Sequence, residues 1–263
     1  MLKDKRLFLF DIDGTIATGE KLYDGTKELL DYIEEIKGKA IYITNNSTKS
    51  LSDYVKKFSI WNIKTEESQF VTSGFMAVRY LKEHFPEKKI FVMGTQSFLK
   101  DLRQQRIQVT ESVEKDIQCV LVGYDSELNY SKLEHVCEIL STTEAEYLAT
   151  NPDLCCPAPF GFIPDCGSIC QMIQNSTGKV PKYLGKPAKE IIDYCRNLTG
   201  FSREETLVVG DRLYTDIACG IAADVETCVV YTGEATREEV KNTKYMPTYE
   251  FDNIQKLFEA VRG

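Results

Sequence analysis

The sequence has few of the residue arrangements that build zinc sites or disulfide frameworks. Its nine cysteines are odd in number and form no Cys-x-x-Cys pair, and there are two histidines, His84 and His135. Zinc sites and disulfide-stabilised folds depend on closely spaced ligands or on paired thiols. Most of these cysteines lie in apolar patterns, where a thiol behaves as a small hydrophobic side chain. We therefore expect free and mostly buried thiols.

Long hydrophobic runs and an excess of positive charge are also missing. The apolar run ahead of Asp11 is Leu7–Phe10, which is too short for the hydrophobic region of a signal peptide or for a membrane span. Asp and Glu outnumber Lys and Arg by 40 to 32, for a net charge of -8, which disfavours a nucleic acid polymer as partner. A small phosphorylated molecule needs only local positive charge. We expect a cytoplasmic protein that binds neither membranes nor nucleic acid.

The chain does contain a repeated pattern of buried strands that end in polar residues. Leu7–Phe10 is apolar throughout, as in strands that the helices of a parallel sheet cover on both faces. Asp11 and Asp13 follow, and side-chain alternation along an extended chain points both carboxylates the same way, roughly 7 Å apart. Gly14 then lets the chain turn. Two close carboxylates are costly unless a cation or a shared proton relieves the repulsion.

Three more segments follow this pattern, with apolar strands predicted at residues 40–43, 182–184 and 206–209. The polar residues after these strands are Thr44, Asn45, Asn46 and Ser47; Lys186; and Asp211 and Asp216. Helical periodicity separates the strands, which predicts an α/β fold with a doubly wound parallel sheet. Pro187 is expected to open a helix at its first turn. Because the carboxyl ends of parallel strands share one edge of the sheet, these polar residues should share one crevice.

The middle of the chain predicts a second, smaller α/β domain. Residues 89–94, 119–123 and 147–150 each have the pattern of a strand that precedes a helix. The segment 151–166 interrupts this pattern and holds four of the eight prolines. We predict a long loop there without regular structure, and such loops are usually functional or disordered. We assign no chemistry to its adjacent Cys155 and Cys156.

The predicted crevice combines carboxylates, a lysine and a hydroxyl group. Oxygen ligands with room for water suit Mg²⁺, and lysine and threonine can hold anionic oxygens. This combination favours phosphoryl transfer, in which catalysis consists mainly of positioning and charge neutralisation.

Together the four segments resemble the motifs of the haloacid dehalogenase (HAD) superfamily. Asp11-x-Asp13-Gly14-Thr15 is similar to its first motif, Thr44-Asn45 to its second, Lys186 to its third, and Gly210-Asp211 with Asp216 to its fourth. Within the superfamily, these motifs are most similar to those of the NagD and 4-nitrophenylphosphatase-like subfamily. It implies a Rossmann-like core of residues 1–76 and 181–263, with a large α/β cap of the C2a type inserted at residues 77–180.

The resemblance also implies roles for individual residues. Asp11 would be the nucleophile that forms an aspartyl phosphate, and Asp13 would protonate the leaving oxygen and then activate water. Thr44 and Lys186 would hold the phosphoryl group. The residues implied to bind Mg²⁺ are Asp11, Asp13 (through its main-chain carbonyl), Asp211 and Asp216. The residues implied to bind substrate are Asn45, Asn46, Asp153 and Leu154.

The resulting hypothesis is a Mg²⁺-dependent phosphatase of small phosphorylated metabolites, which forms a homodimer through its cap. A dehalogenase would not need the acid at Asp13, because a halide leaving group takes no proton. A phosphotransferase or mutase is a further alternative, although a phosphomutase of the superfamily usually carries a small helical cap nearer the first motif. A non-catalytic Mg²⁺-binding protein of the same fold is the alternative from another class, and the intact Asp11, Asp13, Lys186 and Asp211 count against it.

Overall fold

The structure is a computed structural model that describes residues 1–46, 50–158 and 160–263. Ser47, predicted among the polar residues after the second strand, and Pro159 of the proline-rich segment lie outside the described residues. The strands are β1 (Leu7–Phe10), β2 (Ala17–Thr18), β3 (Lys21–Leu22), β4 (Lys39–Thr44), β5 (Phe70–Thr72), β6 (Lys89–Met93), β7 (Gln108–Thr110), β8 (Cys119–Val122), β9 (Glu146–Ala149), β10 (Cys155–Ala158), β11 (Gly161–Pro164), β12 (Lys182–Tyr183), β13 (Thr206–Gly210), β14 (Glu226–Val230) and β15 (Tyr249–Phe251). The α-helices are α1 (Thr26–Glu35), α2 (Leu51–Ile60), α3 (Ser73–His84), α4 (Gln96–Gln104), α5 (Tyr130–Thr142), α6 (Cys166–Thr177), α7 (Glu190–Thr199), α8 (Ala218–Ala222), α9 (Arg237–Asn242) and α10 (Ile254–Arg262).

The chain forms two compact units, the first of which comprises Met1–Thr44, Leu51–Val71 and Lys186–Gly263. Its sheet has the order β15-β14-β13-β1-β4-β5, and β1 pairs in parallel with both β13 and β4. All four residues of β1 are buried, because apolar side chains of α1, α2 and α10 pack on one face of the sheet and α7 contacts β1 and β4. The predicted α/β fold with a doubly wound parallel sheet is confirmed.

The second unit comprises Asn45–Ser50 and Thr72–Gly185. Its sheet has the order β12-β9-β8-β6-β7, and these strands pair in parallel. One apolar cluster joins the sheet to α5 and α6, and another joins it to α3 and α4. The sequence places the end of the cap at residue 180. Strand β12 comes after that residue, and it pairs with β9 within the second unit.

Two local predictions were wrong. The segment 151–166 is not devoid of regular structure, because β10 and β11 form an antiparallel hairpin in which Cys155 lies opposite Pro164. Both strands of a two-stranded sheet are edge strands. Proline is tolerated in an edge strand at positions whose N–H would point to solvent and not to the partner strand. Pro187 does not open a helix: α7 begins at Glu190, and the Lys186–Pro187 peptide bond is cis.

The short elements α9 and β15 were not predicted, because each has few apolar residues of its own. Within the ranges that the structure describes, no helix has the length and apolar character needed to cross a membrane.

Candidate active site

Three aspartates of the first unit meet at the carboxyl ends of adjacent strands. Asp11 follows β1, Asp211 follows β13, and Asp216 lies in a π-helical turn at Leu213–Ile217. Strands β1 and β13 are neighbours with Phe10 opposite Val209, so each strand delivers its aspartate to the same end of the sheet, with Asp211 one residue beyond the position opposite Asp11. One carboxylate oxygen from each aspartate lies within 4.8 Å of the others. All three side chains are buried, so their mutual repulsion is only weakly screened by water.

Lys186 lies between two of these acids. Its Nζ donates hydrogen bonds to Oδ1 of Asp11 and Oδ1 of Asp216, each at 2.6 Å, and to the carbonyl of Ile43 at 3.0 Å. The side chain is 2% exposed, and buried charges of this kind persist only when they are paired and hydrogen-bonded. Asp11 Oδ2 accepts no hydrogen bond from the described part of the chain. One oxygen of Asp11 is therefore held and the other is available.

The pKa values of the clustered groups are shifted first by burial and then by the neighbouring charges. Burial raises the pKa of Asp11 well above its ordinary value, with further raising by Asp216 and Asp211, and the Lys186 charge only partly offsets this. Burial and the charge of Asp216 raise the pKa of Asp211 to about 6. Burial by itself would lower the pKa of Lys186, but the charges of Asp11 and Asp216 outweigh it and raise that pKa. Three acids and one ammonium thus form a site that attracts additional positive charge.

Asp211 is held in place by groups from two segments of the chain. Its Oδ1 accepts a hydrogen bond from Thr15 Oγ1 at 3.1 Å, and its Oδ2 accepts one from the main-chain N–H of Glu234 at 2.8 Å. A Cβ atom at Gly233 would lie 1.9 Å from Asp211 Oδ2, and one at Gly14 would lie 2.6 Å from it. Because such distances are far below contact, glycine at these two positions allows the carboxylate to occupy its place.

Asp13 takes a different partner from Asp11. Its carboxylate lies 3.0 Å from Nζ of Lys57 on α2, and the Asp13 side chain is 39% exposed whereas that of Lys57 is 12% exposed. The Lys57 ammonium also lies over the ring of Trp61. Thr44 is buried at the end of β4, the strand adjacent to β1. The two aspartates of the first motif therefore have distinct surroundings, one buried against Lys186 and the other partly open to solvent.

The remaining predicted site residues belong to the second unit. The Nδ2 groups of Asn45 and Asn151 donate to Oδ2 of Asp153 at 2.7 and 2.8 Å. Asp153 is buried, whereas Leu154 beside it is exposed and Asn46 is half-buried. The structure brings Asn45 and Asp153 together.

Comparison with known proteins places the chain in a family. A family model described as haloacid dehalogenase-like hydrolase matches residues 8–108, and one described as HAD-hydrolase-like matches residues 183–257. An acid sugar phosphatase of Staphylococcus haemolyticus is 30% identical over 253 residues, which cover 96% of this chain and 95% of the relative. The chain belongs to the haloacid dehalogenase-like hydrolase family.

Solved structures of this HAD family have the same fold over the whole chain. A 4-nitrophenylphosphatase from Thermotoga maritima is 32% identical with a TM-score of 0.91, and the match covers 99% of this chain and 98% of that chain. A putative NagD protein is 30% identical with a TM-score of 0.89, over 99% of this chain and 100% of that chain. The resemblance to the NagD and 4-nitrophenylphosphatase-like subfamily is confirmed.

Sequence reasoning about this HAD family member overlooked several residues at the site. Thr15 was noted within the first motif, but its contact with Asp211 was not foreseen, and Gly233 lies outside all four motifs. Lys57 has the helical spacing of an ordinary charged surface residue, and no signal in the sequence connects it to Asp13. These contacts depend on chain segments far apart in sequence, as between Gly233 and Asp211 or between Lys57 and Asp13.

Proposed function

We propose that this protein is a Mg²⁺-dependent phosphatase that hydrolyses small phosphomonoesters through an aspartyl phosphate on Asp11. The observation that carries the proposal is the placement of Asp11, with one oxygen on Lys186 and the other accepting no hydrogen bond from the described residues. A nucleophilic carboxylate needs one oxygen fixed and one free to attack. The family's named phosphatases support the same reaction class.

In the first step Asp11 Oδ2 attacks phosphorus, and the ester P–O bond breaks as the new P–O bond to Asp11 forms. Asp13 gives a proton to the departing oxygen, which leaves as an alcohol. The partial exposure of Asp13 allows it to reach a leaving group. Lys186, Thr44 and the main-chain N–H of Asn45 hold the phosphoryl oxygens, so that charge developing on them is met by positioned donors.

In the second step water attacks the phosphorus of the aspartyl phosphate. Asp13, now ionised, takes the proton from that water, and the bond between phosphorus and Asp11 Oδ2 breaks to release inorganic phosphate. Asp11 regains its carboxylate and Asp13 its proton, so the cycle closes. Lys57, which lies 3.0 Å from Asp13, keeps this side chain near the site between the two transfers.

The donor set of the first unit fits Mg²⁺. The clustered carboxylates of Asp11, Asp211 and Asp216 are oxygen ligands of the kind that Mg²⁺ prefers. Lys186 pairs with two of the three, so a bound cation would offset the negative charge that remains. The residues that would hold the ion are these three aspartates and the main-chain carbonyl of Asp13. When bound, the ion would neutralise carboxylate and phosphoryl charge, and HAD phosphatases typically use Mg²⁺ in this way.

Replacement of the nucleophile tests the proposal. Asp11→Asn should abolish Mg²⁺-dependent release of 4-nitrophenol from 4-nitrophenyl phosphate, because an amide does not form the aspartyl phosphate. Asp31→Asn is the matched control, since Asp31 is an exposed aspartate of the same unit on α1. Undiminished turnover by Asp11→Asn would contradict the mechanism.

Metal removal separates the phosphatase from the non-catalytic alternative. EDTA should stop phosphate release by the wild-type protein, and added Mg²⁺ should restore it. A protein that binds Mg²⁺ but hydrolyses no phosphomonoester in a broad panel would instead be the non-catalytic member of the fold.

The substrate class is a small phosphorylated metabolite. Among the relatives the acid sugar phosphatase makes sugar phosphates the first compounds to test. Leu154 and Asn46 are the proposed contacts for the leaving group, and the exposure of Leu154 supports a role in binding. A screen of phosphorylated metabolites, ranked by kcat/KM, would identify the class, and Leu154→Ala should change that ranking more than it changes the rate with 4-nitrophenyl phosphate.

We assign the second unit as the cap and propose that it also forms a homodimer. Phe160 and Phe162 of this unit are 82% and 64% exposed, and apolar side chains grouped at a surface are often covered by a partner. Light scattering should give the mass of a dimer for the wild type and of a monomer for the double variant Phe160→Asp, Phe162→Asp. A monomeric wild type would contradict the proposal.

A further inference from the structure

Asp153 is an expected substrate-binding residue, yet its surroundings are those of a buried structural group. The side chain is 1% exposed, and its Oδ2 accepts hydrogen bonds from Asn45 Nδ2 at 2.7 Å and from Asn151 Nδ2 at 2.8 Å. Buried polar side chains are hydrogen-bonded, and an acceptor that takes two donors fixes both of them. The carboxylate therefore fixes the positions of two amide side chains, one of which is more than a hundred residues away along the chain.

Asn45 also contacts two other residues of the second unit, Ser73 and Gly185. Its carbonyl oxygen accepts a hydrogen bond from Ser73 Oγ at 2.7 Å. A Cβ atom at Gly185 would lie 2.5 Å from Asn45 Oδ1, so the Gly185 backbone packs directly against the Asn45 amide. Gly185 in turn donates its N–H to the carbonyl of Thr150 at 2.7 Å. We call Asn45, Ser73, Asn151, Asp153 and Gly185 the linker clamp.

Three members of the linker clamp lie where the chain passes between the two units. Asn45 is the first residue after Thr44, Ser73 is the second after Val71, and Gly185 is the last before Lys186. Three of the four chain crossings are thus held together inside the second unit, by the Ser73–Asn45 hydrogen bond and by the packing of Gly185 against Asn45. A buried polar network whose members are all hydrogen-bonded makes its surroundings rigid.

Two residues of the proposed active site are bonded directly to this clamp. Thr44 precedes Asn45 and Lys186 follows Gly185, so a shift of the clamp moves the backbone of both residues that hold the phosphoryl group. We propose that Asp153 is a positioning residue, which fixes Thr44 and Lys186 through the linker clamp and does not contact the substrate. This inference rests on the proposed phosphatase function and adds a residue that acts at a distance from the reacting atoms.

The two roles of Asp153 predict different kinetics. A residue that contacts the leaving group affects substrates unequally, whereas a positioning residue affects the phosphoryl site that all substrates share. Displacement of a catalytic group by about 1 Å can lower the rate about 100-fold. Asp153→Leu keeps the branching of the side chain but removes the oxygen that accepts both hydrogen bonds. We expect it to lower kcat about 10- to 100-fold, and by the same factor for phosphomonoesters with different leaving groups.

Hydrogen exchange provides a readout that does not depend on activity. The N–H of Gly185 is hydrogen-bonded within the second unit, so it should exchange slowly in the wild type. In Asp153→Leu the peptides that contain Asn45 and Gly185 should exchange faster. This measurement remains informative if the wild type hydrolyses no phosphomonoester, in which case the proposed function fails and the linker clamp is still tested.

Three further variants make the experiment decisive. Asp153→Asn retains an oxygen that can accept from both amides and should recover most of the activity. Asn45→Ala removes one donor and should reproduce the loss without any change at Asp153, which covers the case in which Asp153→Leu does not fold. Asp125→Asn is the matched control, because Asp125 is a buried carboxylate of the same unit that pairs with Lys132 at 2.7 Å. It should leave kcat unchanged.

Equal losses for all substrates together with faster exchange at Gly185 would support the positioning role. A loss confined to one leaving group, a loss with unchanged exchange, or full activity in Asp153→Leu would overturn it. Equal losses of activity in Asp153→Asn and Asp153→Leu would also overturn it. Both variants lack the charge but only Asp153→Leu lacks an acceptor oxygen, so the loss would then be due to the missing charge and not to the missing hydrogen bonds.

Discussion

Replacement of Lys186 by methionine tests how the first unit tolerates three buried carboxylates. Lys186→Met keeps the length of the side chain but removes an ammonium that lies 2.6 Å from both Asp11 and Asp216. Lys186 is 2% exposed, so water cannot readily take its place. Removal of one partner of a buried ion pair costs about 3–5 kcal/mol. In EDTA at neutral pH we expect the free energy of unfolding to fall by about that amount.

Protons and metal should each reduce this loss. The pKa of Asp11 is already raised by burial, and without the Lys186 charge it rises further, so the folded variant takes up protons more readily than the unfolded chain. A group whose pKa is higher in the folded state stabilises the fold as the pH falls, and the difference from the wild type should shrink in mild acid. Saturating Mg²⁺ supplies positive charge to the same carboxylates and should also shrink it.

Urea unfolding in EDTA and in Mg²⁺, at neutral and mildly acidic pH, would measure these effects. Lys189→Met is the matched control, because Lys189 is an exposed lysine that pairs with Asp193 at the surface, and it should change stability little. The reasoning would be refuted if Lys186→Met were no less stable in EDTA than Lys189→Met. It would also be refuted if Mg²⁺ left the difference between them unchanged. Phosphatase activity of Lys186→Met should be lost in every condition.

Three other predictions concern single contacts. Thr15→Val removes the hydroxyl that donates to Asp211 and should weaken Mg²⁺ binding about 10- to 100-fold; calorimetric titration would measure this, and unchanged affinity would contradict it. Gly233→Ala places a Cβ atom where Asp211 Oδ2 lies and should lower phosphatase activity about 100-fold, so full activity would show that the carboxylate is not held in this position. Glu226→Gln should lower the urea midpoint at neutral pH. Burial tends to raise the pKa of Glu226, but the hydrogen bond and charge of Lys5 lower it overall. The stabilisation is therefore present above the unfolded pKa of about 4.3 and is lost as the pH falls, so a difference that persists in stronger acid would refute the assignment.

The sequence by itself determined the strands of the first unit and the residues at their ends. Leu7–Phe10 is a continuous apolar run, and such a run between amphipathic helices has few stable arrangements other than a strand of a parallel sheet. Once the sheet is parallel, its carboxyl ends share an edge. For this reason Asp11, Asp211 and Asp216 could be grouped from their positions in the chain, and the structure brings them together. Lys186 was expected at the same sheet edge, but the strand before it, β12, pairs with β9 in the other sheet. Lys186 nevertheless reaches Asp11 and Asp216.

The surroundings of those residues were decided only by the tertiary structure. Asp11 and Asp13 look equivalent in the sequence, but one lies against Lys186 and the other against Lys57, because α2 passes beside the end of β1. Asp153 looks like a loop residue, and its burial with Asn45 depends on segments that the chain brings together from far apart. The local sequence shows which residues are apolar or charged. The partner of a charged residue depends on how distant segments of the chain pack together. The strand ends were therefore readable in the sequence, and the ion pairs, the glycines that admit Asp211, and the linker clamp were not.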